Sequence, residues 1–170
     1  MEPHFFQLID RIRYQAALSA LGRDGKSLAV ISPVHALTEH YKESLIQHLS
    51  AQIKDLKVKA FLPPDSDTIV QTFNRVVASI PIAQAQGGST DKSVLQLWVI
   101  HDAAALPAHE LKLLLQLIEK FPGANVRALL IYSGVSVYPE GLDAFDRSLV
   151  TWVIERPSLE QIKESLGQEK

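Results

Sequence analysis

The chain has 170 residues, of which 46% are hydrophobic, so it is long enough to form one domain with a buried core. Its 17 lysines and arginines against 19 aspartates and glutamates leave a net charge of −2, which argues against a dedicated nucleic-acid binder. The chain has no cysteine, which excludes disulfides and thiolate metal sites, and no apolar run approaches the ~18 residues of a membrane span, so we expect a cytoplasmic protein without direct membrane insertion.

The first half of the chain alternates helical spacing with short apolar runs. In chain order this pattern predicts a helix over residues 5–21, a strand over 28–31, a helix over 38–53, a strand over 57–62 and a helix over 67–80. Gly22 ends the first helix, and Pro63-Pro64 stops the second strand. The apolar residues that give the first helix its helical spacing are Phe5, Leu8, Ile9, Ile12, Ala16 and Leu21.

The second half begins with the most loop-like stretch of the chain, QAQGGSTDK at residues 84–92. The pattern then predicts a strand over 94–100, a helix over 107–121, strands over 126–132 and 149–154, and a short helix over 158–166. Apolar strands that alternate with amphipathic helices are typical of a mainly parallel sheet covered on both faces. We therefore expect residues 1–170 to form a single α/β domain, a three-layer α/β/α sandwich with a five-stranded sheet.

The order of elements and several local phrases resemble one family. An apolar strand ends in His101-Asp102, the following helix reads LPAHELKLLLQLIEKFP, and the last strand leads into RPSLEQI. This series resembles the ATPase core of the AAA+ superfamily, which has a P-loop NTPase-like fold. The most similar branches are clamp-loader-type subunits and the bacterial ATPases of general secretion and pilus biogenesis. The resemblance implies an AAA+-like domain that ends before the helical lid, which normally completes the adenine pocket.

The loop after the first strand stands where the family has its phosphate-binding loop, Walker A. That loop needs G-x-x-x-x-G-K-[ST], because glycines let N–H groups surround phosphates, lysine reaches the outer phosphates, and the hydroxyl binds Mg²⁺. Here the segment is SPVHALTE, with Ser32 and Leu37 at the glycine positions, Thr38 at the lysine position and Glu39 at the hydroxyl position. A frame shifted by one places Thr38 at the hydroxyl position but still supplies no lysine. We interpret these residues as a vestigial phosphate loop.

A second stretch, Gly25-Lys26-Ser27, resembles the end of a phosphate loop but lies before the strand. It lacks the earlier glycine of the motif, since Ala20 stands there, and no helix follows it. We expect a turn in which Gly25 adopts a backbone conformation that glycine favours.

The Walker B position is altered as well. The resemblance implies an aspartate that holds Mg²⁺ and a glutamate that activates water, but His101 and Asp102 stand at these positions, and Mg²⁺ prefers oxygen ligands to histidine. Ser133 matches the family's sensor position. Arg147 matches the arginine finger that reaches a neighbouring subunit's nucleotide, or it is a solvated loop residue.

Other catalytic arrangements fit the sequence less well. His101-Asp102 is also the dipeptide of metal-dependent phosphohydrolases, but that family is all-helical and this dipeptide ends a strand. Ser32, His35 and Asp102 lie where α/β ligands bind, but a serine hydrolase of this class would need G-x-S-x-G. The six histidines lack the i, i+4 spacing of helical zinc pairs, and the small lysine and arginine clusters are typical of a solvated face.

The lost Walker residues favour a catalytically degenerate AAA+-like domain, a pseudo-ATPase that acts as a protein-interaction or scaffold subunit of a larger assembly. On this interpretation we expect no cofactor and no metal, partners that are other proteins, and a partner surface that is an exposed apolar patch rather than a pocket. The alternative is a weak ATP-binding AAA+ ATPase of a secretion, pilus, cell-envelope or clamp-loader-like replication machine, with phosphate held by the helix N-terminus alone. Nucleic acid would be contacted only through the assembly.

Overall fold

A computed structural model of the chain describes residues 3–62, 65–81, 94–135, 139, 141–145 and 147–167. The strands are β1 (Ser27–Ser32), β2 (Lys57–Phe61), β3 (Gln96–Ile100), β4 (Val126–Ser133) and β5 (Leu149–Val153). The helices are α1 (Leu8–Gly22), α2 (His35–Gln52), α3 (Ser66–Ala78), α4 (Ala108–Lys120) and α5 (Leu159–Gly167). The predicted loop at 84–92 and the predicted stop at Pro63-Pro64 lie outside the described residues.

The strands form one five-stranded sheet in the order β2-β3-β4-β1-β5, and every neighbouring pair is parallel. β1 lies between β4 and β5, with Leu28 opposite Leu129 on one side and Val150 on the other. The predicted parallel, five-stranded α/β sheet is therefore confirmed. Because all strands run the same way, their carboxyl ends meet at one edge, where Ser32 ends β1 and Ser133 ends β4.

Helices cover both faces of the sheet, which completes the predicted sandwich. Alternate residues of β1 point to opposite faces, as the pleat of a strand requires. Leu28 and Val30 pack with α1 and α2, whereas Ala29 and Ile31 pack with α3 and α4. Trp98 and Trp152 are both buried within these layers, so neither belongs to an exposed partner surface.

The apolar residues whose spacing predicts α1 do not all face the core. Leu8, Ile9 and Ile12 are 78%, 47% and 59% exposed. The helix instead buries the opposite side, where Tyr14 lies against Trp152 with ring centroids 6.3 Å apart. Apolar residues occur on both sides of α1, and the aromatic ring together with small alanines packs more closely against the sheet. The buried residues of this helix are Asp10, Tyr14, Ala17, Leu18, Ala20 and Leu21.

β2 is not covered on both faces as predicted. Its first four residues are exposed and only Phe61 is buried, because β2 forms one edge of the sheet. Lys57 and Lys59 lie on this edge strand. Lysines are common on edge strands, where they oppose pairing with another chain.

Candidate functional site

The connection between β1 and α2 is too short to surround a phosphate. α2 begins at His35 rather than at residue 38 as the spacing predicted, so only Pro33 and Val34 separate it from Ser32. The Ser32 side chain is fully buried, and its Oγ accepts a hydrogen bond from the Val34 N–H at 3.1 Å. Proline has no N–H to offer a ligand, and one of the remaining N–H groups is already bound by Ser32.

Thr38 and Ser133 meet at this edge of the sheet. Thr38 is fully buried, and its hydroxyl donates to the His35 carbonyl at 2.8 Å. The Ser133 and Thr38 hydroxyl oxygens also share a hydrogen bond. Because a hydroxyl has one proton, Ser133 is the donor in that bond. Thr38, which stands at the lysine position of the loop, is therefore bonded within the protein on both its donor and acceptor sides.

The other two residues at Walker A positions, Leu37 and Glu39, lie on α2 and face different surroundings. Leu37 is buried and packs in the core between α1, α2 and the sheet. Glu39 is partly exposed, and one of its carboxylate oxygens accepts a hydrogen bond from Lys42 Nζ at 2.5 Å. The Lys42 side chain is only 10% exposed. A lysine is rarely buried without a partner, so this ion pair belongs to the structure of the site.

Lys42 was not found by the sequence reasoning, because it follows Glu39 by three positions on a helix and has the spacing of an ordinary surface ion pair. The Walker A motif places its lysine in the loop and not on the helix. The sequence feature that indicates Lys42 is a positive charge between Tyr41 and Leu45, two residues of the buried side of α2. A charge at such a position predicts a nearby group of opposite charge.

His101 and Asp102 follow β3 as predicted, and they differ in exposure. The His101 N–H donates to the Phe61 carbonyl at 3.2 Å, and its side chain is partly buried. Burial and then the positive charge of Lys42 hold the pKa of His101 below its ordinary value of 6.5, although the negative charge of Glu39 raises it. His101 is therefore mainly neutral at pH 7, and it shares an electrostatic environment with Lys42 and Glu39.

Asp102 is exposed and adopts φ 51°, the left-handed region that few residues other than glycine occupy. Its carbonyl accepts a hydrogen bond from the Ala105 N–H at 2.9 Å, which begins a short 3-10 turn at Ala103–Ala105. Aspartate tolerates this backbone conformation better than most residues. The turn thus gives Asp102 a local structural role at the position of the family's catalytic carboxylate.

Arg147 lies at the opposite edge of the sheet from these residues. It immediately precedes the turn into β5, where the Ser148 carbonyl accepts the Ser27 N–H at 2.8 Å. Gly25 lies at this same amino edge with φ 70°, so the backbone conformation predicted for it is confirmed, and Ser27 is the first residue of β1. Arg147 is exposed and is not brought together with Ser32, Thr38 or His101.

An apolar groove lies beside the first turn of α2. It has a volume of about 740 Å³, and its lining includes Phe6, Val34, Leu37, Arg156, Leu159 and Ile162. These residues come from the N-terminal segment, from the start of α2 and from the segment that joins β5 to α5. The sequence did not predict this groove, because its walls are distant in the chain.

The alternative catalytic arrangements gain no support from the contacts. Within the part of the chain that the structure describes, no hydrogen bond joins Ser32, His35 and Asp102, and no three acidic or histidine side chains form a metal site. His40 instead donates to the His4 carbonyl at 2.9 Å, and His48 bonds the Tyr14 hydroxyl at 3.0 Å. None of the described helices has the length and apolarity needed to cross a membrane.

No protein-family model matches the chain, and no curated protein sequence matches it. Among solved structures, it is similar to C. elegans PCH-2, an AAA+ ATPase, with a TM-score of 0.54 and 16% sequence identity over 88% of this chain. The chain spans 43% of the length of that PCH-2 chain. Similarity at this level of identity shows the fold alone. The chain thus has a P-loop NTPase-like α/β fold that is similar to the fold of an AAA+ ATPase.

Proposed function

We propose that this domain is a catalytically degenerate, AAA+-like scaffold that binds other proteins of a multi-subunit assembly in the cytoplasm. The observation that carries the proposal is the pairing of polar groups at the nucleotide position. Thr38 bonds Ser133, and Lys42 bonds Glu39. A phosphate that used these side chains as ligands would have to break their bonds, because they are already paired inside the protein.

The Walker B residues support the absence of hydrolysis. A neutral His101 replaces the carboxylate that would hold Mg²⁺, and Mg²⁺ prefers oxygen ligands. The only nearby lysine that contacts the loop, within the described residues, neutralises Glu39 instead of remaining available for a phosphate. The proposal therefore includes no cofactor, no metal and no arginine-finger role for Arg147.

The exposed side of α1 supports the protein-binding role. Leu8, Ile9 and Ile12 are large apolar residues on one helix, and each is about half exposed or more. Ile9 and the exposed Val153 of β5 also line one crevice of about 370 Å³, whose other lining residues are polar or charged, so the exposed side of α1 adjoins the edge of the sheet. Contiguous exposed apolar surface of this kind marks protein interaction sites. Nucleic acid is reached only through the assembly on this proposal.

One observation favours the alternative of a weak nucleotide binder in a secretion, pilus, cell-envelope or replication machine. The groove beside α2 has a volume of about 740 Å³, which is within the range of small-molecule sites. Its lining includes Val34, which immediately precedes the first turn of α2, where unpaired N–H groups favour an anion. The test below separates this alternative from the scaffold.

Titration with fluorescent ATP and Mg²⁺ tests the nucleotide question. The scaffold predicts no saturable binding below about 1 mM and no phosphate release above that of the buffer. Saturable binding that Thr38→Ala or Asp102→Ala abolishes would establish the alternative instead. In that case Arg147→Ala should lower hydrolysis only in mixtures where the altered subunit faces an intact site.

The partner surface is tested with Ile12→Glu against the control Leu113→Glu. Both residues are exposed on helices, at 59% and 46%, and Leu113 lies on α4, on the other side of the sheet. The amount of protein that copurifies with the native chain should fall about tenfold with Ile12→Glu and stay unchanged with Leu113→Glu. Equal recovery with both variants would remove α1 from the partner surface.

A further inference from the structure

The groove beside α2 is separate from the outer side of α1, and its walls are almost entirely apolar. Phe6 and Leu37 line it from the N-terminal segment and α2, and Leu159 and Ile162 line it from α5. Leu159 is 76% exposed although it belongs to the apolar stripe of α5. A helix normally buries that stripe, so the structure leaves one wall of the groove available to a partner.

Arg156 is the charged group of this groove. It is exposed, and no ion pair or hydrogen bond within the described residues neutralises its guanidinium. His40, which also lines the groove, is already bonded to the His4 carbonyl. The neighbouring Glu155 lines a different crevice with Asp10, and Glu164 lies on the other side of α5. The groove therefore combines an apolar surface with one available positive charge.

We propose that this groove binds a short protein segment that has large apolar side chains and one aspartate or glutamate placed to pair with Arg156. The apolar side chains would cover Leu159, Ile162 and Phe6, and the carboxylate would form a forked pair with the guanidinium. The inference rests on the proposed function in taking the partner to be a protein, but it assigns a surface and a partner chemistry that the proposed function does not.

A nucleotide is a poorer match to the same groove. Its phosphates would require several positive groups at the start of α2, where Glu39 already holds Lys42. A single arginine fits one carboxylate better than it fits a triphosphate, which usually needs a lysine, a cation and several N–H groups together. The charge in the groove and its apolar lining therefore favour the acidic, apolar segment.

The experiment begins with a random dodecapeptide display library selected against the immobilised chain. The enriched sequences should share at least two large apolar residues and an aspartate or glutamate. A fluorescein-labelled peptide of the enriched sequence is then titrated with the chain by fluorescence anisotropy. Arg156→Glu and Leu159→Glu should each weaken its binding about tenfold or more.

Two residues of the same helix provide matched controls. Lys163→Glu reverses a positive charge that lies outside the groove, and Leu166→Glu replaces a leucine that is 55% exposed and also lies outside it. Each control should change the affinity by less than about twofold. All of these residues are exposed, and circular dichroism verifies that every variant retains its helical content.

Several results would overturn the inference. The selection would contradict it if no peptide were enriched over a blank surface, or if the enriched sequences were basic or lacked apolar residues. The titrations would contradict it if Arg156→Glu and Leu159→Glu left the peptide affinity unchanged, or if ATP displaced the peptide. If only Ile12→Glu weakened peptide binding, the peptide would bind α1 and not the groove. That result would contradict the inference and support the protein-binding role of α1. If neither the α1 variant nor the groove variants changed binding in these assays, the proposed protein-binding function would be contradicted as well.

Discussion

The carboxyl edge of β1 and β4 and the outer side of α1 differ in which groups they leave available. At the sheet edge, Thr38 and Ser133 are polar, but they bond each other. On α1, Leu8 and Ile12 are apolar, but they remain in contact with water. The polar groups of the first region are already hydrogen-bonded within the protein, whereas the apolar groups of the second are exposed to solvent. The comparison supports the proposed function, which places partner binding on the outer side of α1 rather than at the Walker A position.

The energetics of the two regions support this conclusion. A buried hydroxyl without a partner costs about 1–3 kcal/mol, so a ligand that displaced the Thr38 bond would first have to replace it. By contrast, each large apolar side chain that a partner covers fully contributes about 1.5–3 kcal/mol. Covering Leu8, Ile9 and Ile12 requires no internal bond to break.

Among the polar groups at the carboxyl edge of the sheet, the largest stability effect should come from the buried Thr38–Ser133 pair. Thr38→Val removes a fully buried hydroxyl and leaves the His35 carbonyl and Ser133 with fewer partners, so it should lower the free energy of unfolding by about 1–3 kcal/mol. Urea denaturation measures the change. Ser133→Ala combined with Thr38→Val should cost less than the two single changes added together, because the pair shares one hydrogen bond. Strict additivity would show that the two hydroxyls act independently.

Lys42→Met should have a smaller effect on stability, because the partly exposed Glu39 can regain contact with water when its partner is removed. Its clearer effect is on His101. The Lys42 charge lowers the pKa of His101 and Glu39 raises it, so the variant should raise that pKa.

NMR titration of the imidazole protons measures the pKa of His101 in both proteins. Lys54→Met supplies the control, because Lys54 is exposed and lies beyond the end of α2, and it should leave the titration unchanged. If the pKa of His101 were the same in Lys42→Met, the charge of Lys42 would have no measurable effect on His101.

Asp10→Asn tests the buried side of α1. Burial raises the pKa of Asp10 above its ordinary 3.8, a hydrogen bond from Tyr41 lowers it, and the charge of Glu155 raises it. A raised pKa means that the folded state holds the proton longer than the unfolded state, so the stability present at acid pH is lost as pH rises through the folded pKa. Asparagine does not ionise, and its amide oxygen can still accept from Tyr41.

We therefore expect Asp10→Asn to gain stability relative to the native chain as the pH rises from acid to neutral. Urea midpoints measured over that pH range check the result. A difference that stays constant with pH would mean that Asp10 does not titrate differently in the folded and unfolded states.

The sequence predicted the sheet better than it predicted the site. β1, β3 and β4 each contain four or five consecutive apolar residues, at 28–31, 97–100 and 128–132, and burial within a parallel sheet favours such runs. The spacing in α1 does not indicate which side of the helix is buried, because apolar residues occur all round it, and packing against Trp152 selects the side with Tyr14. The Thr38–Ser133 bond joins residues 95 positions apart, so no local pattern could reveal it. The element order predicts that the segment after β1 lies at this edge of the sheet, but the partners of its side chains depend on the tertiary fold.

The smallest effect should come from the outer side of α1, and this is the sharpest test of the comparison. Leu8→Glu should change the free energy of unfolding by less than about 0.5 kcal/mol, because Leu8 is 78% exposed and loses little packing. Leu18→Ala on the same helix is the matched contrast, since Leu18 is 8% exposed and its truncation should cost about 2–5 kcal/mol. Urea denaturation of both variants measures the difference. A large loss of stability with Leu8→Glu would mean that this side of α1 is covered in the isolated chain, and the apolar surface proposed for the partner would then be part of the core.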